Sequence, residues 1–180
     1  MKRPSKYTKI IGERVYIKLP TLKDAKKILE FTQNEELKKY VTWKSPESLK
    51  GAELFIKNRR LAIQRGEKFL GGVYLNESNE LIGSAGYIKF EDDDDSVELG
   101  YWIAKPFQRK GFARECVNLL IDYASSSLGA KKVVITCTKG NVASIKLAEN
   151  LNFHLDEILK GHMKINGEYV DRFRYNRPLS

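Results

Sequence analysis

One stretch constrains this chain more than any other, Val97 to Leu128, VELGYWIAKPFQRKGFARECVNLLIDYASSSL. Its first part predicts a strand, because Val97, Leu99, Tyr101 and Ile103 alternate with Glu98, Gly100 and Trp102. Pro106 closes the strand, since proline has no N–H for a ladder bond. Gln108-Arg109-Lys110-Gly111-Phe112-Ala113 follows. A helix then sets Ala113, Val117, Leu120, Ile121, Ala124 and Leu128 on one face, with Gly129 as its stop. The first turn of a helix has N–H groups without partners, and the macrodipole adds partial positive charge there. Gly111 lets backbone approach an anion closely, and Arg109, Lys110 and Arg114 add charge. The unit is a general phosphate cradle. No Gly-Lys-Ser/Thr follows, so it is not a Walker loop. The three-glycine dinucleotide fingerprint is missing too.

Gln108-x-x-Gly111-x-Ala113, after a strand bearing Glu98 and before a long helix, resembles the pyrophosphate-binding motif of the GNAT superfamily of acyl-CoA-dependent N-acetyltransferases. Asn141-Val142-Ala143-Ser144 resembles the Asn-x-x-Ser of the branch containing the ribosomal-protein N-terminal acetyltransferases. Leu151-Asn152-Phe153 resembles that branch's Leu-Gly-Phe, and Leu19, Leu22, Asp24 and Ala25 resemble the family's first strand and helix. The order and spacing of these matches agree along nearly the whole chain.

The 180 residues suit one domain, read as a basic arm over 1–9 and a single domain over 10–180. Hydrophobic residues at 42% allow a core. Alternation and capping predict a strand at Val15–Leu19, then a helix from Thr21-Leu22-Lys23-Asp24 to about Asn34. A second helix is expected from Ser45-Pro46-Glu47 to Gly66, with Pro46 in its first turn. Glu36 to Trp43 stays unassigned. Strands follow at Phe69–Leu75 and Leu81–Phe90 around an Asn76–Asn79 turn. Lys132–Thr138 reads as a buried strand, Asn141–Leu151 as a short helix, and Phe153–Met163 and Tyr169–Leu179 as a hairpin closed by Asn166-Gly167. The expected fold is α+β: one mixed, mostly antiparallel sheet of about seven strands with four helices. The resemblance adds a splay between the central strand and its parallel neighbour, in which acyl-CoA lies.

Cys116 and Cys137 read as small core residues, and no spacing supports a disulfide or metal site. The acidic run Asp92–Asp95 lacks the ligand spacing of a calcium loop. No apolar run reaches membrane-spanning length and no signal peptide opens the chain, so the expectation is a cytoplasmic protein, monomer or homodimer, without membrane or specific nucleic-acid partners. The formal net charge of +9 fits a polyphosphate ligand, an acidic partner, nucleic acid or a solvated basic surface.

Acetyl transfer to an amine needs a held thioester, a neutral amine, a stabilised oxyanion and a proton for the thiolate. The resemblance implies that Gln108, Arg109, Lys110, Gly111, Phe112, Ala113 and Arg114 hold the pyrophosphate of acetyl-CoA, and that the freed N–H of Ile103 or a neighbour meets the thioester carbonyl. Glu98, a carboxylate in a central strand, reads either as general base acting through water or as a salt-bridged edge residue. Asn141 reads as a pantetheine contact or a helix cap. Ser144 reads as a donor to the thioester sulfur or a plain helix-start serine. Many family members carry a tyrosine four residues further on, where this chain has Ala148. Trp43, Tyr101, Trp102 and Tyr169 stand as acceptor-pocket candidates or as core aromatics. An α-amine, with a pKa of about 7.7–8.0, suits a modest base better than lysine at about 10.4. The leading acceptor is therefore a protein N-terminus, a ribosomal protein among the candidates. The alternatives are a polyamine or aminoglycoside acceptor, or a non-catalytic basic RNA- or ribosome-binding module.

Overall fold

In the computed structural model, which describes residues 8–65, 68–90, 95–165 and 167–179, apolar alternation builds one eight-stranded sheet. Its strands are β1 (Lys9–Ile11), β2 (Val15–Lys18), β3 (Lys68–Leu75), β4 (Leu81–Lys89), β5 (Ser96–Ile103), β6 (Lys132–Thr138), β7 (His154–Ile165) and β8 (Glu168–Pro178). They lie in the order β1-β2-β3-β4-β5-β6-β8-β7. Every neighbouring pair is antiparallel except β5 and β6. The α+β reading therefore holds, with one strand more than expected. The addition is β1: Lys9, assigned to the arm, already pairs with Lys18. Three residues carry too little periodicity to announce a strand.

The helices are α1 (Ala25–Thr32), α2 (Glu35–Lys38), α3 (Leu49–Arg65), α4 (Phe112–Tyr123) and α5 (Val142–Asn150). The single turn α2 lies in the unassigned stretch and makes five where four were expected. Its cap is Asn34, whose side chain accepts from the Leu37 N–H at 3.1 Å. At the start of α1 the Asp24 carboxylate accepts from the Thr21 N–H at 2.7 Å, as the capping-box spacing implies. Helix α3 corrects the sequence reading. It begins after Ser48, whose hydroxyl accepts from the Gly51 N–H at 3.1 Å, so Pro46 lies before the helix. The predicted stop at Gly66, the acidic residues Asp92–Asp94 and Asn166 of the hairpin turn lie outside the described residues. Helix α4 widens into a π turn over Ala124–Leu128 and ends at Gly129, with φ 69°.

Two cores flank the sheet. Helix α4 buries Cys116, Val117, Leu120 and Ile121 against Val97, Leu99, Val133 and Ile135. On the opposite face α1 and α3 bury Ile28, Ala52 and Ile56 against Tyr16, Tyr74 and Leu81. Burying a large aliphatic side chain contributes about 1.5–3 kcal/mol. These two layers hold the central strands against the opening described next. Among the described residues no helix is long and apolar enough to cross a membrane.

Candidate active site

Strands β5 and β6 pair only at their beginnings: Ser96 with Lys132, Val97 with Val133, Glu98 with Val134. Beyond that point each keeps one partner and loses the other. β5 stays on β4 as far as Ile103 opposite Gly83, and β6 stays on β8 as far as Thr138 opposite Arg172. Two central strands therefore run apart with facing edges unpaired. A buried donor or acceptor without a partner costs about 1–3 kcal/mol, so an opening of this kind invites a ligand. Backbone direction alternates along a strand. The Ala104 N–H donates to Ile82 O on the β4 side at 2.8 Å, so the Ile103 N–H points into the opening.

The turn beyond Ile103 stands at the mouth of the opening. Gly111 has φ 84°, the left-handed region that glycine enters without a Cβ clash. The first backbone bond of α4 runs from the Glu115 N–H to Gly111 O at 3.1 Å. The N–H groups from Arg109 through Arg114 donate to no acceptor among the described residues. They form a row of free amides at the positive end of a twelve-residue helix. Two polar side chains here hold the turn to its neighbours. The Gln108 side chain folds back and donates to Ile103 O at 2.8 Å, tying the turn to the strand end. Arg114 donates to Asn150 O at 3.1 Å, joining α4 to the end of α5. Arg109 and Lys110 are exposed.

Arg14 buttresses the turn, and sequence reasoning missed it. Its Nη1 donates to Lys110 O at 2.9 Å, its Nε bonds Glu115 Oε2 at 2.9 Å, and its guanidinium covers the Phe112 ring at 4.8 Å. No local signal announces a contact between residues so far apart in the chain.

On the α4/α5 face, side chains cross the opening. Asn141 caps α5, accepting from the Ser144 N–H at 3.2 Å. Ser144 Oγ then lies 2.8 Å from Tyr101 Oη on β5 and 3.2 Å from Cys137 Sγ on β6. Burial pushes both the Tyr101 phenol and the Cys137 thiol to higher pKa, so both keep their hydrogens at neutral pH. Both cysteines are free and buried. Past Asn150, Asn152 takes φ 58°, where the resembled branch has glycine.

The opposite face is built from other parts. Glu98 lies there, half-exposed, while Val97 and Leu99 point to the α4 core. It makes no ion pair or hydrogen bond among the described residues. Arg172 on β8 faces it. Burial lowers the Arg172 pKa, and the Glu98 charge opposes that shift. The Arg172 Nη2 donates to Thr136 O at 2.9 Å on the freed part of β6. The loop after α2 spans the gap: Thr138 Oγ1 donates to Tyr40 O at 3.2 Å, and the Trp43 and Trp102 rings lie 6.5 Å apart. A cleft of about 380 Å³ opens beside it, between Gln33, Thr42, Trp43 and Ser45 and the hairpin residues Lys164 and Ile165. Of the four aromatic candidates, Trp43 and Trp102 meet here. Tyr101 sits on the other face, and Tyr169 is 73% exposed on the hairpin. The signal for Tyr101 was present in its shared phase with Val97 and Leu99.

Comparison with known proteins places this geometry. The family described as an acetyltransferase (GNAT) domain matches residues 14–154. The uncharacterised N-acetyltransferase p20 of Bacillus licheniformis is 26% identical over 91% of this chain and 92% of its own length. The ribosomal-protein-serine acetyltransferase of Escherichia coli is 29% identical over 57% of this chain and 58% of its own. In fold, the chain superposes on RimL, the ribosomal L7/L12 α-N-protein acetyltransferase in complex with coenzyme A. The TM-score is 0.84 at 21% identity, covering 96% of this chain and 98% of that one.

Proposed function

The chain belongs to the GNAT acetyltransferase family, and from that premise we propose that it transfers the acetyl group of acetyl-CoA to the N-terminal α-amine of a protein. The observation that carries this reading is the parting of β5 and β6 after Glu98, beside a turn whose amides have no partners among the described residues. The residues present fit the donor substrate. The N–H row from Arg109 to Arg114 suits its diphosphate, with the Gln108 side chain holding the turn in place. Arg109 and Lys110 add charge from the exposed side. The Ile103 N–H suits the thioester carbonyl and its developing oxyanion. Asn141 spends its carbonyl oxygen on the helix cap and keeps its amide hydrogens for pantetheine. Ser144 stands where a hydroxyl can support the departing sulfur. Glu98, across the sheet, takes the amine proton through water.

Two buried donors support a peptide acceptor over a polycation: Trp102 Nε1 and Arg172 Nε have no acceptor among the described residues. Peptide carbonyls satisfy such groups, and polyamines bring only more donors and positive charge. Named relatives include enzymes of ribosomal proteins, which favours a ribosomal acceptor and a cytoplasmic reaction.

Calorimetric titration with acetyl-CoA, followed by a panel of short peptides, polyamines and aminoglycosides, tests the reading. Expected are saturable acetyl-CoA binding and turnover on peptides with free N-termini. Turnover on polyamines or aminoglycosides alone would transfer the assignment to small amines. Absence of acetyl-CoA binding would leave only the basic binding module.

A further inference from the structure

The contact between Tyr101 and Ser144 does more than close a gap between two strands. Three hydroxyl or thiol groups meet here, and each carries one hydrogen: Tyr101 Oη, Ser144 Oγ and Cys137 Sγ. They share only two contacts, so one hydrogen remains. The Cys137 thiol donates to Ser144 Oγ, because sulfur is the weaker acceptor. A phenol, with an ordinary pKa of about 10, is a far stronger donor than an aliphatic hydroxyl, so Tyr101 also donates to Ser144. Both acceptor positions of Ser144 Oγ are then filled. Its own hydrogen has no protein partner among the described residues. Tyr101 sits beyond the last β5–β6 pair, so this cluster lies where the two strands have already parted.

We propose that Tyr101 is a positioning residue for the reaction, donating its phenolic hydrogen to Ser144 Oγ and so aiming the Ser144 hydrogen into the opening at the departing sulfur. The inference rests on the acetyl-transfer reading above. When the C–S bond breaks, its electron pair goes to sulfur and the carbonyl re-forms. Ser144 donates a hydrogen bond to that thiolate without giving up its proton. The proton that converts thiolate to thiol is, in the balance, the one lost by the amine on becoming an amide. Tyr101 therefore acts on the orientation of a donor and is not consumed. Without it, the Ser144 hydroxyl rotates freely and donates to the sulfur only part of the time.

The test is a double-mutant cycle on the full chain, with acetyl-CoA and whichever acceptor the wild type turns over. Tyr101→Phe removes one oxygen and is expected to lower kcat about tenfold, within the range for an oriented acid–base group. KM for acetyl-CoA should stay within about twofold. Ser144→Ala is expected to lose at least as much. The double variant should lose no more than Ser144→Ala alone, because Tyr101 acts only through Ser144. Losses that multiply, or wild-type turnover in Tyr101→Phe, would overturn the proposal. If Tyr101→Phe fails to fold, judged by Tm and acetyl-CoA affinity, 3-fluorotyrosine at position 101 replaces it. That side chain keeps its hydroxyl and donates more strongly, so kcat at or above wild type supports the proposal and a tenfold loss overturns it. A wild type inert toward every acceptor indicts the acetyl-transfer reading instead, which separates the two failures.

Discussion

The two faces of the opening between β5 and β6 are built on different terms. The α4/α5 face is nearly self-satisfied. Asn141 caps its helix, Gln108 ties the turn to Ile103, and Tyr101, Ser144 and Cys137 hold one another. What it leaves free is mostly backbone, the amides of the turn and of the strand edge, beside the Asn141 amide hydrogens and the Ser144 hydroxyl hydrogen. The α1/α3 face leaves free side chains. Among the described residues, Trp102 and Arg172 each bury an N–H without an acceptor, and Ser45 buries a hydroxyl without one. Preorganised backbone suits a ligand that never varies, because it costs no reordering at each turnover. Unsatisfied side-chain donors suit a partner that brings its own acceptors and can be discriminated by them. One face is thus fitted to a common donor and the other to a particular acceptor.

The sharpest way to break that division is Glu98→Gln. It should lower kcat about 100-fold, in the range of general-base catalysis, with acetyl-CoA affinity unmoved in calorimetry. Turnover near wild type at the optimal pH would leave the α1/α3 face without a base. On the other face, Gly111→Val places a branched side chain at φ 84°, which costs roughly 1–2 kcal/mol or more. Acetyl-CoA Kd should rise about tenfold while the acceptor KM holds. An effect on the acceptor alone would reverse the assignment of faces. Arg172→Gln should act in the opposite sense, raising the acceptor KM about fivefold, a loss typical of one ordinary hydrogen bond. Equal changes in both substrates would mean that Arg172 only supports the β6 edge through Thr136.

The smallest expected effect concerns stability at alkaline pH. Burial first, and the neighbouring Glu115 charge second, push the Cys116 thiol from 9.0 up to about 12. Unfolded thiol ionises above about pH 9 while the folded thiol stays protonated, so the unfolded state gains. Stability from this source is intact below pH 9 and falls as pH rises toward 12, by at most about 1.4 kcal/mol per pH unit. Cys116→Ala should flatten the fall of Tm between pH 9 and 10, whatever its effect on Tm at pH 7. A slope unchanged by the substitution would assign the alkaline loss to the buried tyrosines.

The strand, turn and helix from Val97 to Leu128 were legible because each signal lies within a few residues. Alternation sets the β5 faces, Pro106 ends pairing, Gly111 permits the left-handed turn, and Gly129 stops the helix. Asn152 takes the left-handed region where the resembled branch has glycine. The errors fell where local signals compete. Proline before α3 marks a helix start only to within a residue or two, and Ser48 supplied the cap. Strand β1 is too short to show a period.

By itself, then, the sequence determined which segments are strands and helices, their order, and the anion-ready turn, since backbone preference and side-chain period act over neighbours. Only the tertiary structure decided where β5 leaves β6, that Arg14 braces the turn, that Tyr101 and Cys137 meet Ser144, and that Arg172 faces Glu98. These depend on which ribbon keeps its hold: β5 stays with β4 and β6 with β8, and the seam that opens is the parallel one between them, the pairing that is weaker per residue. Such a seam joins residues far apart in the chain, and no short-range pattern encodes it.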